Sequence, residues 1–382
     1  MTSTAALQPE TSAQPRYEIL DGLRGVAAVL VILYHFGEGF ATSAVDQMMN
    51  HGYLAVDFFF VLSGFVIGYA YDRCWKNKGM TTGRFMLRRI IRLQPMVVLS
   101  VIIGAIAYLL QGSVHWDGTP VPFHWVLVAL ILGLFMIPVL PGAAADVRGN
   151  GEMFPLNGPT WSLFFEYIGS VLYAVILHRL SKNGLRTVVA VSGIGLAACA
   201  LCNMSGAFHL GVGWSMADMG WLGGFLRLSL SFGIGLMLTR DFRPMRIRGA
   251  FWICAALITA IMSCPYIGST DGNPSIANGV YDIICTLLIF PTIVYIGACG
   301  TTSDIFSSKV CEFLGAISYP VYIIHYPVMY MFYAWVWNNG ITFADAWPVC
   351  MALFVVIILE AWIAMKWYDA PIRRYLSRKL LH

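Results

Sequence analysis

The chain has 382 residues, 58% of them hydrophobic and only 12% charged, about half the charged share of an ordinary globular domain. A mean hydropathy of +0.70 is more than a water-soluble core of this length absorbs, so a soluble enzyme and a disordered chain are both excluded. The net charge of +4 comes from short loop clusters and gives no reason to expect a nucleic-acid partner.

Residues 1–16 are polar, small and Pro-containing, and read as a disordered cytoplasmic tail. Eleven apolar runs follow: Leu20–Phe40, Leu54–Tyr71, Pro95–Gln111, Phe123–Leu140, Thr160–His178, Thr187–Asn203, Met219–Leu238, Ala250–Pro265, Gly279–Cys299, Phe313–Trp335 and Ala346–Lys366. Each is long enough to be considered a membrane crossing. Lys and Arg mark cytoplasmic loops, and they gather at Arg73–Arg92, Arg179–Arg186, Arg240–Arg248 and Lys366–Lys379. Three runs lie between the first two clusters, where only an even number can cross. Phe123–Leu140 is short and ends at Pro138 and Pro141, so it is predicted to be a re-entrant or interfacial helix. The expectation is an all-α polytopic transmembrane bundle of about ten spans, with both termini cytoplasmic. That arrangement puts 22 of the 24 basic residues inside, Arg148 and Arg227 excepted. A transmembrane domain at 17–372 and a basic cytoplasmic tail at 373–382, an amphipathic stub on the inner leaflet, complete the organisation. Seven of nine cysteines fall within spans, which argues against a disulfide framework; no metal site is expected.

Ionisable side chains inside spans are costly, and by default they are functional candidates. His35 lies in the outer third of the first span, Glu166 near the outer surface of the fourth crossing, and His325 near mid-membrane. If their helices adjoin, a histidine base with a carboxylate orienter is available, because a carboxylate fixes the tautomer and stabilises imidazolium. Arg88, Arg89 and Arg92 stand just before Pro95, which is predicted to open a span, and Arg24 sits at the base of the first. Together they read as a phosphate-binding cluster. Asp57 lies near the outer mouth of the second span and Ser63 with Gly64 forms a small-residue kink in it; Arg227 is expected to pair with Glu360. Trp161 reads as an interfacial anchor, and Tyr319 and Tyr322 as packing residues.

Several motifs taken in order carry a resemblance. They are Tyr17 to Gly25 followed by Tyr34-His35; Gly52 to Phe65; Phe85 to Pro95 with its arginines; Thr160-Trp161-Ser162-Leu163 with Glu166; and Ser318-Tyr319-Pro320-Val321-Tyr322 with His325. Arg227 with Phe232, Gly233 and Gly235 matches a further position. In this order they resemble the acyltransferase-3 family of integral-membrane O-acyltransferases, from residue 17 to about 375. Where many members have Glu-x-Pro this chain has Asp369-Ala370-Pro371, and the extracytoplasmic hydrolase-like domain fused to some members is not expected.

The resemblance implies transfer of an acyl group, usually acetyl from acetyl-CoA as co-substrate with no bound cofactor, onto a hydroxyl. Acceptors in the family are carbohydrates, lipid-linked glycans and secondary metabolites, and its usual place is the bacterial plasma membrane. It makes His35 the catalytic histidine and places Arg88, Arg89 and Arg92 on the donor side. Glu166 is expected to orient His35, and His325 or Tyr319 to donate hydrogen bonds to the developing oxyanion, with a covalent acyl-His relay as the alternative route. Two readings compete: a proton-coupled transporter with a buried His/Glu relay, and a non-catalytic relative that exports or anchors a glycan machine. Transporters are commonly built from internal repeats, and none is visible here.

Overall fold

The computed structural model describes residues 17–77, 79–302 and 304–381, so the expected tail at 1–16 lies outside them. Among the described residues the fold is helical, with only isolated β-bridges. Thirteen α-helices follow in order: α1 Glu18–Glu38, α2 Ala55–Lys76, α3 Thr82–Leu110, α4 Phe123–Leu134, α5 Thr160–Val175, α6 Lys182–Leu201, α7 Gly220–Arg240, α8 Ala250–Met262, α9 Ile276–Ile284, α10 Phe290–Cys299, α11 Ile305–Asn339, α12 Phe343–Ala364 and α13 Ala370–Leu380. Seven helical segments are long and apolar enough to cross a membrane, with α4 and α8 as shorter apolar helices.

Two parallel helix pairs organise the bundle, and glycines set how closely each packs. A Cβ at Gly25 would stand 2.4 Å from the Leu314 carbonyl oxygen, and one at Gly22 2.9 Å from Cys311, so only glycine lets α1 lie this close to α11. At one end of this pair Arg24 Nε donates to Ser318 Oγ at 2.9 Å. At the other, Trp337 Nε1 donates to the Gly39 carbonyl at 2.9 Å. In the second pair a Cβ at Gly64 would stand 2.1 Å from the Phe232 oxygen, and one at Gly235 2.1 Å from that of Val61. The α2–α7 seam runs from Asp57 and Arg227 to Asp72 and Arg240. Both pairs run in the directions that alternate crossing requires.

The α4 segment behaves as the proline positions predict. Its last turn reaches mid-α3, where Gln94 Nε2 donates to the Leu134 carbonyl at 2.7 Å. The chain then returns to the end of α3, where Arg148 Nη2 meets Gln111 Oε1 at 3.1 Å. It therefore enters and leaves at the same end. Pro95 does not open a span: α3 starts thirteen residues earlier at Thr82, capped by the Thr81 hydroxyl, and carries the proline inside. The arginines thus belong to the helix itself and not to the loop before it. Wide π-type turns at Cys285–Ile289 and Met365–Asp369 join α9 to α10 and α12 to α13. Each precedes a proline, Pro291 or Pro371, whose ring and missing N–H are relieved by an extra residue in the turn.

Gly25→Val should separate α1 from α11. Thermal unfolding in detergent is expected to show a loss of about 1–3 kcal/mol, as overpacking usually costs, while Gly83→Ala, which meets nothing within 4 Å, should leave the midpoint unchanged.

Candidate active site

The α1–α11 seam brings two histidines together. His35 and His325 stack with ring centroids 5.3 Å apart and planes inclined by 29°. The His35 ring is fixed from its other nitrogen: Nδ1 meets Glu38 Oε2 at 2.7 Å, one helical turn further along α1. The single proton of the Tyr333 hydroxyl is shared between Glu38 Oε2 and the His35 carbonyl, each 2.9 Å away. An Nδ1–H directed at a carboxylate leaves Nε2 with its lone pair, the protonation pattern of a general base. Among the described residues nothing is bonded to Nε2.

His35 and Glu38 stand on the wall of a cavity of about 710 Å³ at the α1 C-terminal end. Tyr34, Tyr53, Trp161, Trp214, Tyr322 and Tyr326 give it aromatic walls. Tyr326 packs edge-on to His35 at 4.8 Å, and its hydroxyl has no hydrogen-bond partner among the described residues. A second carboxylate, Glu152, reaches the cavity from the loop after α4. It accepts from the Tyr330 hydroxyl and from Asn150 Nδ2, and burial pushes its carboxyl up to about 7. Behind Tyr330 the Arg148 guanidinium lies 3.5 Å from the ring centroid, enclosed also by Tyr108 and Trp116.

The remaining intramembrane charges are paired differently from the sequence expectation. Glu166 does not reach His35; it forms an ion pair with Arg89 and accepts from Ser63 Oγ at 3.0 Å. Depth along a span places two residues at one level but says nothing about the direction each faces, and Glu166 faces α3. Arg227 pairs with Asp57 and not with Glu360: Nη2 to Oδ2 is 2.7 Å and Nε to Oδ1 is 3.1 Å. Its other donors go to the Val212 and Tyr53 carbonyls, so the buried guanidinium ties α2, α7 and the loop before α7 together. Trp161 sits 5.4 Å from that guanidinium and lines the cavity, a role beyond interfacial anchoring. Neither expected oxyanion donor is free. His325 spends its Nδ1–H on the Val321 carbonyl, which leaves Nε2 an acceptor, and the Tyr319 hydroxyl donates to the Leu93 carbonyl at 2.6 Å.

At the opposite end of the bundle lie the arginines. Arg24 is bonded to Ser318 and to Asp21, and Arg89 to Glu166 and Ser170. Arg92 is exposed, and neither it nor Arg88 has an ion-pair partner among the described residues. Arg24 and His35 are eleven residues apart on α1, which places them within about 20° of one face and about 16 Å apart along the axis.

Sequence reading thus located His35, His325 and the arginines but missed Glu38, Glu152, Tyr326 and Tyr333. Glu38 carried a usable signal, since a carboxylate three residues after a membrane histidine lies on the same helical face. The other three become visible only when α11 and the loop after α4 are folded against α1.

Residues 17–366 match the acyltransferase-3 family, described as an acyltransferase domain. The chain is 34% identical over 196 residues to protein 2 in the picA locus of Rhizobium radiobacter, covering 50% of this chain and 97% of that protein. It is 25% identical over 373 residues to the peptidoglycan O-acetyltransferase OatA of Listeria monocytogenes, covering 93% of this chain and 55% of that protein. The chain therefore spans little more than half the length of that curated relative. No solved structure matches at a significant level. The chain belongs to the acyltransferase-3 family and is an integral-membrane member of it.

The buried Asp57–Arg227 pair and the His35–Glu38 pair should separate in a stability measurement. Asp57→Ala leaves a desolvated guanidinium and is expected to cost about 3–5 kcal/mol. Glu38→Gln, on the cavity wall, should leave the unfolding midpoint of the purified protein within a degree or two.

Proposed function

We propose that the protein transfers an acyl group, most simply acetyl, from acyl-CoA at the arginine end of the bundle to a hydroxyl of an acceptor held in the cavity. The observation that carries this reading is the His35–Glu38 hydrogen bond on the cavity wall. The arginine-rich end suits the phosphates of coenzyme A, which hydrocarbon excludes. The narrow pantetheine arm then reaches toward His35, which lies about 16 Å from Arg24 along α1. Positive-inside bias supports the arginine end as cytoplasmic, and a bacterial plasma membrane fits the sources of the relatives.

In this mechanism Glu38 accepts a hydrogen bond from the Nδ1–H of His35 and holds the ring so that Nε2 faces the acceptor. As the acceptor oxygen attacks the thioester carbonyl carbon, Nε2 removes the hydroxyl proton, and imidazolium is stabilised by Glu38. The carbonyl oxygen becomes an oxyanion, for which the Tyr326 hydroxyl, on a ring packed edge-on to His35, is an available donor. Collapse of the tetrahedral intermediate breaks the carbon–sulfur bond. The coenzyme A thiolate leaves and takes the proton from His35, which restores the neutral base. His325, with its lone pair and its stacked ring, positions His35 without donating to the oxyanion. Carboxylates and aromatic rings on the same cavity suit a hydroxyl-rich acceptor such as a carbohydrate, free or lipid-linked.

Incorporation of radiolabel from acetyl-CoA in membranes expressing the protein tests this. His35→Ala should abolish transfer and Glu38→Gln should lower kcat by about 10²–10⁴, the usual contribution of acid–base catalysis. Arg92→Ala should raise the KM for acetyl-CoA with kcat retained. A folded Glu38→Gln protein with wild-type kcat would remove Glu38 from the mechanism.

A further inference from the structure

The sequence predicts a basic stub on the inner leaflet after Pro371, but the structure packs α13 back onto α3, the helix that carries Arg88, Arg89 and Arg92. The wide turn at Met365–Asp369 makes this possible. It places Asp369 inward, 2% exposed, and Asp369 Oδ2 holds Arg373 Nη2 at 3.0 Å. Arg373 thereby enters the electrostatic surroundings of Arg92, together with Arg24 and Arg89. In this cluster Arg24 has Asp21, Arg89 has Glu166 and Arg373 has Asp369 as carboxylate partners. Arg88 and Arg92 have none among the described residues, so the cluster carries an excess of about two positive charges. Hydrogen bonding is incomplete on both of these packed helices. The Nε–H groups of Arg88 and Arg373 are buried and unpartnered, and so is the second oxygen of Asp369. Buried donors without partners are rare and costly, and two of them in one cationic cluster fit a dianionic oxygen acceptor.

We propose that Arg373, carried by α13 and aimed by Asp369, forms the third wall of an organic-phosphate site with Arg88 and Arg92, and that this site grips the coenzyme A phosphates. The assignment rests on the acyl-CoA reading above. It makes the C-terminal helix part of the donor site and gives the wide turn before Pro371 a purpose, since a regular helix there would carry Arg373 to a different face. The same chemistry would accept the phosphate of an anionic lipid headgroup, and the test separates the two.

Calorimetric binding of acetyl-CoA to the full-length protein, in nanodiscs of neutral phosphatidylcholine, is the experiment. Arg373→Ala should weaken binding about tenfold, as loss of a charge-assisted contact does. Arg373→Lys should recover part of that loss, and Lys379→Ala, on the exposed end of α13, should bind like wild type. Unfolding midpoints of the variants confirm that each is folded. A folded Arg373→Ala protein that binds acetyl-CoA like wild type overturns the proposal. If Arg373→Ala instead loses only the stabilisation conferred by phosphatidylglycerol nanodiscs, the site belongs to a lipid headgroup and the donor assignment falls. Wild-type protein that binds no acetyl-CoA would overturn the donor reading itself, and Arg373 with it.

Discussion

Close parallel packing of α1 on α11 is the contact from which the site follows. Hydrocarbon supplies no hydrophobic drive between helices, so their association relies on close van der Waals approach and on hydrogen bonds. Gly22 and Gly25 provide the approach, and the bonds at Ser318, Tyr333 and Trp337 fix the register. With the register fixed, His35 stacks on His325 and Glu38 meets Tyr333. A shift of one residue along either helix would turn these side chains by about 100° and dissolve the arrangement. The same helix pair carries Arg24 at one end and His35 toward the other.

A second constraint is that a low-dielectric interior tolerates charges only when they are matched. Asp57 with Arg227 and Glu166 with Arg89 are matched, and each pair joins separate helices. These pairs hold the walls. Among the described residues, buried groups left without a partner at the arginine end are the Nε–H of Arg88 and of Arg373 and one oxygen of Asp369, and others lie elsewhere in the bundle, among them Asn157, Ser231 and His325.

Much of this was legible in the sequence, and the limits have physical causes. Composition and charge bias gave the helical class, and the prolines at 138 and 141 identified α4 as a segment that enters and leaves on one side. His35 stood out because an ionisable residue in a span has few structural excuses. Partners were harder to read. Depth comes from counting residues at about 1.5 Å each, but azimuth depends on packing, so Glu166 was matched to His35 by level while facing Arg89. Arg227 was matched to Glu360 only because both are charges within spans, whereas in the fold it meets Asp57. Hydroxyls and ring nitrogens were likewise treated as available, although in the fold Tyr319 and His325 spend their donors on backbone carbonyls.

The central claim is that the donor extends from the arginine end to His35 along α1 and α11. A cryo-electron microscopy structure with a non-cleavable thioether analogue of acetyl-CoA tests it most directly. The account predicts phosphates between Arg88, Arg92 and Arg373 and the carbon equivalent to the carbonyl close enough to Nε2 of His35 for a hydroxyl to sit between them at about 3–3.5 Å from each. Phosphates bound in the cavity beside Glu152 and Trp214, or a reactive end remote from His35, would contradict it.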